Sequence, residues 1–441
     1  MTRSVLNRLF APRSIAARTA AAIEQADRAI ALCHALISER GEVSGARRAT
    51  ELLTLYQSLE PAGLERFFDR LVKEFSPDPK KVGLAAKNYS DGPSPATLHE
   101  LQSVVEAPRQ ELFRRFNIAS GGTRALVEMR RRVRRELVTH PAWAALDDDL
   151  LHLFRSWFNR GFLNLQRIDW RTSALVLERL IEYEAVHQIT GWSDLRRRLE
   201  GDRRCFAFFH PALPDEPLIF IEVALTRELS GTVQPLIDPR SPVADPANAS
   251  HAIFYSITNC QEGLRGVSFG HFLIKQVAED LGREFPRLRT FATLSPIPGF
   301  RRWLLSTAPG LVNGRRATEL AELVTRIGEE PRATVPADLE RDLTALCAYY
   351  LLQVKKGVRP LDPVARFHLA NGARLERLNW GADTSASGLA NAFGLMVNYV
   401  YALSELERNH EAYAQHSRLV ASRELEKLSQ QTLFTDRRRT G

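Results

Sequence analysis

The spacing of apolar residues changes near residue 200, and this change is the strongest constraint on the fold. In residues 14–37, and again in later segments up to residue 188, apolar residues recur every three or four positions, as on one face of a helix. Beyond residue 200 the chain carries short runs of β-branched and aromatic residues, such as CFAFFH (205–210) and PLIFIEVALT (217–226). The sequence therefore predicts an α+β fold in which an all-helical N-terminal domain, residues 1–160, precedes a mixed α/β domain, residues 161–441.

Turn signals give the order of the elements within each part. Residues 94–116 predict one helix of the N-terminal domain. The two strand-like runs quoted above flank a turn-rich segment and therefore predict an antiparallel hairpin. The other predicted elements of the second domain are strands at 252–257 and 288–294, a helix at 271–285, and mainly helix over 385–430.

The composition excludes several classes of protein. With 44% hydrophobic and 25% charged residues among 441, the chain has the balance of a folded globular protein. No apolar run approaches the roughly 18–20 residues of a membrane span, so we expect no membrane partner. The cysteines, at positions 33, 205, 260 and 347, are widely separated, which argues against a disulfide framework and against a thiolate zinc site.

The net charge of +8 predicts attraction to anions without naming one. Basic runs occur at residues 130–135, 196–198 and 437–439. None of them accompanies a groove-reading module or interleaved stacking aromatic residues. We therefore interpret these runs as solvated helix faces and a loose tail, and we expect no nucleic-acid partner. A ligand that carries phosphate groups fits the charge equally well.

A glycine-punctuated loop joins a predicted strand to a predicted helix within residues 252–277. Gly263, Gly266 and Gly270 allow the backbone to approach a ligand closely, and the N–H groups at the start of the helix would face that ligand. The loop therefore suits a pyrophosphate, with a plain connecting loop as the alternative. Gly266–Gly270 also matches the G-x-S-x-G elbow of serine hydrolases, but a polar stretch separates it from the strand, which disfavours that interpretation.

Two further segments place a hydroxyl and an imidazole in defined settings. Ser295 precedes Pro296 at the end of a predicted strand, so its backbone is expected to be extended. His368 lies in a short helix for which Asp362 is a favourable N-cap and Pro363 a favourable first residue. The alternatives are a serine that caps a turn and a histidine buried in the core. The histidines lack the spacing of a metal site, so we expect none.

Several segments together resemble the malonyl-CoA decarboxylase family. The loop from Arg265 to Gly270 is similar to the coenzyme A loop of the GNAT acetyltransferase superfamily, although Ser268 stands where that pattern has its first glycine. The segments that resemble the decarboxylase family follow its order and approximate spacing: FFHPALPDEPLIFIEVALT (208–226), AIFYSITNCQEGLRGVSFGHFLIKQV (252–277), REFPRLRTFATLSPIPGF (283–300), DPVARFHLANGARLERLNWGAD (362–383) and GLMVNYVY (394–401).

This resemblance implies a helical oligomerisation domain and a GNAT-like catalytic domain, assembled as a homo-oligomer, usually a tetramer. It implies conversion of malonyl-CoA to acetyl-CoA and carbon dioxide, with no separate cofactor because coenzyme A is part of the substrate. Ser295 and His368 fall on the catalytic positions of the family. The residues implied to bind the substrate are Arg265, Gly266, Val267, Ser268, Phe269, Gly270 and His271, with Tyr401 as a further candidate that could equally be a core aromatic residue in a helix.

The reaction suits these residue types. Loss of carbon dioxide leaves an enolate of the thioester, which needs hydrogen-bond donors at its oxygen and a proton at its carbon. We hypothesise that Ser295 hydrogen-bonds the malonyl group and that His368 is the general acid. A GNAT-type acetyltransferase and a non-catalytic malonyl-CoA sensor are the competing interpretations.

The chain ends in Arg-Thr-Gly, without the peroxisomal Ser-Lys-Leu of eukaryotic relatives. Together with the abundance of arginine and alanine, this favours a bacterial cytoplasmic enzyme. Residues 1–23 hold several arginines and no acidic residue, a composition that also suits a mitochondrial transit peptide. The mitochondrial matrix is therefore the alternative location.

Overall fold

The computed structural model describes residues 15–267, 269, 273–307, 318, 322 and 335–430. The chain separates into two compact units, and neither is one continuous segment. The helical unit comprises the chain up to Leu163 together with His210–Pro214 and Gln261–Phe269. The sheet unit comprises Asn164–Phe209, Asp215–Cys260 and the chain from residue 270 onward. A helical part followed by a mixed α/β part confirms the predicted fold class.

Helices dominate the helical unit, and α3 to α6 each begin at a proline, which is favourable in the first turn. Pro108 divides the predicted helix 94–116 in two, because a residue before proline disfavours helical geometry and Ala107 is accordingly extended, with ψ 130°. The helices are α1 Ile15–Ser38, α2 Glu42–Gln57, α3 Pro61–Glu74, α4 Pro79–Asp91, α5 Pro95–Val105, α6 Pro108–Phe116, α7 Gly122–Arg135 and α8 Ala144–Trp157, with 3₁₀ turns at Pro141–Trp143, Arg160–Phe162 and Glu262–Leu264.

An aromatic cluster forms the centre of the helical unit. The Tyr56 ring lies 5.6 Å from Phe67 and 6.1 Å from Phe116, and Phe68 meets Trp143 edge to face at 5.0 Å. All five side chains are buried. Aromatic pairs at these distances add about 0.5–1.5 kcal/mol each beyond the area they bury.

The sheet unit is built on one eight-stranded sheet. Its strands are β1 Asn164–Ile168, β2 Arg203–Phe209, β3 Ile219–Thr226, β4 His251–Asn259, β5 Thr290–Thr293, β6 Ser295–Pro296, β9 Arg374–Asn379 and β10 Met396–Val400, beside a separate pair, β7 Lys355–Lys356 and β8 Arg359–Pro360. The strand order in the sheet is β1-β2-β3-β4-β5-β10-β6, with β9 also paired to β10. Its helices are α9 Ala174–Tyr183, α10 Trp192–Arg198, α11 Gln234–Ile237, α12 Leu273–Glu284, α13 Phe300–Thr307, α14 Ala337–Leu352, α15 Pro363–Ala370, α16 Ala386–Ala392, α17 Leu406–His416 and α18 Arg423–Leu428, with a 3₁₀ turn at Pro246–Asn248.

The parallel pair of β4 and β5 shapes the middle of the sheet. Strands β2 and β3 form the predicted antiparallel hairpin, and β3 pairs antiparallel with β4. The β4–β5 pairing runs from His251 beside Thr290 to Phe254 beside Thr293, where it stops. β4 continues to Asn259, whereas the segment that follows β5 forms β6, which pairs with β10. The two strands therefore part, and a cleft opens between them.

The prediction of mainly helix over residues 385–430 is partly wrong. Helices occupy Ala386–Ala392, Leu406–His416 and Arg423–Leu428, but Met396–Val400 forms the central strand β10. Its run of β-branched and aromatic residues favours a strand, and five residues are too few to outweigh the flanking helical pattern in a sequence reading. Tyr401 consequently follows a strand and does not lie in a helix.

The interpretation of two basic runs as solvated helix faces is also wrong in part. Arg130, Arg197 and Arg198 are buried, whereas their neighbours in the runs are partly or fully exposed. Arg197 pairs with Asp202 at 2.7 Å and Arg198 with Glu222 at 2.6 Å. The run at 437–439 lies outside the described residues. Among the helices that the structure describes, none has the length and apolar character needed to cross a membrane.

The ion pair of Arg198 and Glu222 predicts a large cost when one partner is removed. Burial raises the pKa of Glu222 to about 7, and the guanidinium of Arg198 opposes that shift. Because R198M leaves the carboxyl group buried without its partner, we expect a loss of about 3–5 kcal/mol in the free energy of unfolding, measured by urea denaturation. R196M, which changes an exposed arginine of the same helix, should cost about 1 kcal/mol or less. Equal losses in the two variants would contradict this account.

Candidate active site

Ser295 lies where β4 and β5 part. It begins β6 and pairs with Val397 of β10, while Pro296 pairs with Met396. The predicted extended backbone before Pro296 is confirmed. The side chain is buried, and its hydroxyl is one of the polar groups at the wall of the cleft.

His368 is carried by α15, and a buried carboxyl group fixes the start of that helix. Asp362 Oδ1 accepts hydrogen bonds from the backbone N–H groups of Val364, at 2.9 Å, and Ala365, at 2.8 Å. The predicted N-cap is thus confirmed. Burial raises the pKa of Asp362 to about 6, against the effect of these backbone donors. The cap satisfies helix N–H groups that would otherwise be buried without partners.

Ser295 and His368 come together in the sheet unit. Ser295 Oγ lies 3.0 Å from His368 Nε2, and the Ser295 hydroxyl donates to Thr293 Oγ1 at 2.8 Å. Since a hydroxyl has one proton, Nε2 must carry the hydrogen of the contact with Ser295. Nδ1 of a neutral imidazole is then an acceptor, and the Tyr401 hydroxyl donates to it at 2.7 Å.

The imidazole of His368 is strongly desolvated. Only 3% of the residue is exposed, and its ring stacks on Tyr399 with centroids 4.5 Å apart. Burial lowers the pKa of His368 to about 3, so the ring is neutral at physiological pH. Burial also raises the pKa of Tyr401 well above its ordinary value, which keeps that hydroxyl protonated as a donor.

The acceptor of the serine proton, Thr293, lies at a gap in the pairing of β10 with β5 and β6, between the pairs Val397–Ser295 and Val400–Ala292. On the other side of β10 the register against β9 shifts between Asn398 and Tyr399, because β9 has one extra residue there. At this position the Tyr399 N–H donates to Thr293 Oγ1 at 3.3 Å, and Asn398 Nδ2 donates to the Thr293 carbonyl at 2.8 Å. Thr293 is thereby fixed and accepts from Ser295. The sequence alone does not indicate Thr293, Asn398 or Tyr399, because their roles depend on cross-strand register.

The cleft is a cavity of about 250 Å³ in which Ser295 and His368 meet an otherwise largely apolar wall. An apolar wall excludes water and strengthens the hydrogen bonds that a bound group receives. The lining consists of Val186, Ile219, Ile221, Phe254, Tyr255, Ile257, Asn259, Leu273, Ile274, Ser295, Pro296, Pro363, Val364, Phe367 and His368.

The predicted coenzyme A loop is partly described, and its described residues belong to the helical unit. Arg265 and Gly266 are exposed, and Val267 and Phe269 are buried. Gly266 has φ +89°, in the left-handed region that favours glycine. The remaining predicted binding residues, Ser268, Gly270 and His271, lie outside the described part of the chain.

Within the described residues, no three histidine, cysteine, aspartate or glutamate side chains form a metal-binding cluster. His368, the histidine of the cavity, instead uses both ring nitrogens in hydrogen bonds to hydroxyl groups. The roles predicted for Ser295, His368, Tyr401 and the loop stay predictions at this point.

A buried serine–histidine pair in an apolar cavity is the arrangement of an enzyme site, and comparison with known proteins identifies the family. Residues 161–439 match the malonyl-CoA decarboxylase C-terminal domain, and residues 75–158 match the malonyl-CoA decarboxylase N-terminal domain. The chain belongs to the malonyl-CoA decarboxylase family.

Individual relatives agree with this assignment. The mitochondrial malonyl-CoA decarboxylase of Rattus norvegicus is 38% identical over 341 residues, 71% of this chain and 69% of the relative. That of Anser anser anser is 34% identical over 88% of this chain and 84% of the relative. The crystal structure of malonyl-CoA decarboxylase from Rhodopseudomonas palustris has a TM-score of 0.84 at 45% identity, covering 91% of this chain and 99% of that one.

The cap at Asp362 predicts a graded effect on the site. D362A removes the acceptor of two helix N–H groups, so we expect a loss of about 1–2 kcal/mol of stability and displacement of His368. D362N retains a side-chain oxygen at the same place and should lose clearly less. Thermal unfolding and turnover of both variants provide the measurement, and equal behaviour of the two would refute the capping role.

The low pKa of His368 predicts a pH effect on stability. The unfolded chain binds a proton here below the ordinary pKa of 6.5, whereas the folded protein does so only near pH 3. The contribution of His368 to the free energy of unfolding is therefore fully present above pH 6.5. It falls by about 1.4 kcal/mol per pH unit as the pH drops towards 3. In urea unfolding at about pH 4 to 6, H368Q should lose this part of the slope. The same change in H416Q, an exposed histidine, would contradict the assignment.

Proposed function

We propose that this protein decarboxylates malonyl-CoA to acetyl-CoA and carbon dioxide, with His368 and Ser295 as the catalytic residues. The observation that carries the proposal is the hydrogen-bonded pair of these two side chains inside an apolar cavity, in a chain of the malonyl-CoA decarboxylase family. The cavity suits a small acyl group that reacts away from water.

The reaction requires one bond to break and one proton to be added. The bond between the carboxylate carbon and the methylene carbon breaks, and its electron pair passes into the thioester as an enolate. The methylene carbon then takes a proton and becomes the methyl group of acetyl-CoA. Because the thioester accepts the electrons, we propose that no metal or organic cofactor takes part.

Desolvation of His368 makes its acidity depend on the substrate. The ring is neutral in the empty cavity, since burial lowers its pKa to about 3. A malonyl carboxylate in the same cavity favours the imidazolium, because an opposite charge raises the pKa of a histidine. When carbon dioxide leaves, the negative charge passes from the carboxylate to the enolate, so the imidazolium still faces an anion. His368 can then give its proton to the methylene carbon, which neutralises the enolate and returns the imidazole to its neutral form.

The neighbouring hydroxyl groups position this chemistry. Tyr401 holds Nδ1, so Nε2 faces Ser295 and the cavity. We propose that Ser295 donates a hydrogen bond to the malonyl group once the substrate enters, exchanging Thr293 for the substrate as its acceptor. The loop Arg265–His271 is proposed to hold the coenzyme A pyrophosphate through its backbone N–H groups.

Turnover of malonyl-CoA by the purified protein tests the proposal. Mass spectrometry should show one acetyl-CoA for each malonyl-CoA consumed, at a rate that EDTA leaves unchanged. We expect H368Q to lower kcat about 10²–10⁴-fold and S295A about 10²–10³-fold, because they remove a general acid and a hydrogen-bond donor. The exposed-residue variants H416Q and S387A should match the parent protein.

Other outcomes would decide for a different function. Malonyl-CoA that stays intact but raises the melting temperature would indicate a sensor. Transfer of an acetyl group from acetyl-CoA to an added amine, with malonyl-CoA left intact, would indicate an acetyltransferase. Near-normal turnover by H368Q and S295A would leave the reaction standing and remove these residues from it.

We further propose that the helical unit mediates homo-oligomer formation, as a tetramer. Helices α4 and α5 support this, because α5 buries no side chain and α4 buries only Ala85. They expose Leu84, Leu98 and Val105, an unusual arrangement for helices in water. Sedimentation equilibrium of the full chain, compared with an L84E variant, tests this assembly.

We also propose a bacterial cytoplasmic location. The 45% identity to the protein from Rhodopseudomonas palustris supports it, and the mitochondrial matrix, where the name of the Rattus norvegicus relative places that protein, is the alternative.

A further inference from the structure

We propose that Arg130 of α7 is a positioning residue that fixes the peptide groups at Gly263 and at Arg265–Gly266, in the described part of the coenzyme A loop, for binding of the substrate's pyrophosphate. The inference rests on the proposed role of residues 265–271. It assigns the task to a side chain of the helical unit that is more than 130 residues away in the sequence.

Two loop carbonyl groups accept hydrogen bonds from this arginine. Arg130 Nη1 donates to the carbonyl oxygen of Gly263 at 2.7 Å and to that of Arg265 at 2.9 Å. The arginine side chain has no exposed surface, and its hydrogen bond to Gly263 is buried while that to Arg265 is partly buried. Hydrogen bonds from a charged donor are stronger than those between neutral groups.

This contact determines the direction of a backbone donor. The carbonyl of Arg265 and the N–H of Gly266 belong to one planar trans peptide, so they point in opposite directions. Because the carbonyl faces Arg130, the Gly266 N–H faces away from it, on the exposed side of the loop. An N–H group held in this direction is a ready donor to a phosphate oxygen.

Gly263 shows how closely the loop approaches α7. A Cβ atom at this position would lie 2.0 Å from the Val127 carbonyl oxygen and 2.9 Å from its carbonyl carbon. Any side chain there would push the loop away from the helix backbone. The close approach and the two hydrogen bonds from Arg130 therefore act on the same segment, and both hold it in one place.

An ion pair prepares Arg130 for this task. Its Nε lies 2.8 Å from Asp147 Oδ1, and Arg134 contacts the same carboxylate at 3.0 Å. The guanidinium is thus held by Asp147 through Nε while Nη1 donates to the loop. Because Arg134 remains with Asp147 when Arg130 is replaced, that carboxylate keeps a partner. Arg134 also supplies a matched control, since it contacts the same carboxylate and its Nη1 donates to Asp147.

Steady-state kinetics with two substrates test the inference. For R130M we expect KM for malonyl-CoA to rise about tenfold or more while kcat changes less than about threefold, because the loop binds the nucleotide and not the reacting group. Malonyl-pantetheine, which lacks the pyrophosphate and the nucleotide, should be turned over as by the parent protein. R130K, which keeps the charge, should restore part of the affinity, and R134M should leave KM unchanged.

The controls separate a positioning role from a general structural one. Equal loss on malonyl-CoA and malonyl-pantetheine by R130M, or an unchanged KM for malonyl-CoA, would overturn the inference. G263A is a second, independent variant and should raise KM in the same substrate-dependent way. If the parent protein itself failed to turn over malonyl-CoA, the proposed function would fail first, and direct calorimetry of coenzyme A binding to R130M and R134M would still test Arg130.

Discussion

Both ring nitrogens of His368 are engaged in a space from which water is excluded, and the rest of the sheet unit is arranged around that imidazole. Tyr401 donates to Nδ1, Ser295 receives Nε2–H, and Tyr399 covers the ring face. Each of these contacts would be weak in water, where solvent competes for every donor and acceptor. Inside the cavity these contacts determine the tautomer, and burial holds the ring neutral, which is the state that an arriving anionic substrate can change.

Breaks in the regular strand pairing of the sheet provide this environment. A continuous β4–β5 ladder would leave no room for a ligand, and an unbroken ladder of β10 with β5 and β6 would engage the Tyr399 N–H with a strand carbonyl. The parting of the strands after Phe254 provides the cavity, and the gap in the pairing of β10 at Asn398 and Tyr399 lets their donors reach Thr293. Irregular positions in a sheet often occur beside active sites for this reason. Here the two irregularities serve the same pair of side chains.

Neighbouring residues in the sequence indicate Ser295 and His368 as candidate site residues. Pro296 constrains the backbone of the serine, and Asp362 with Pro363 marks the start of the histidine's helix. Thr293 and its donors were not visible, because strand register is a long-range property.

The position of Arg130 on its helix indicates burial, but the surrounding run of arginines makes that indication easy to miss. Leu126, Met129, Arg130 and Val133 have the spacing of one buried helix face, so the arginine occupies a core position within a run that otherwise faces solvent. The sequence also could not predict that residues 261–269 belong to the helical unit, since this depends on contacts between residues more than 100 positions apart.

The separation between Arg130 and Gly263 has a consequence for synthesis of the chain. Gly263 follows Arg130 by 133 positions, which take the ribosome on the order of ten seconds to translate. Asp147 and the rest of α7 and α8 are synthesised early in that interval, so the carboxylate is available to the guanidinium before Gly263 is made. The helical unit must therefore accommodate Arg130 before the carbonyl groups of Gly263 and Arg265 have been synthesised. Its early pairing with a carboxylate keeps the nascent segment from burying an uncompensated cation while the rest of the protein emerges.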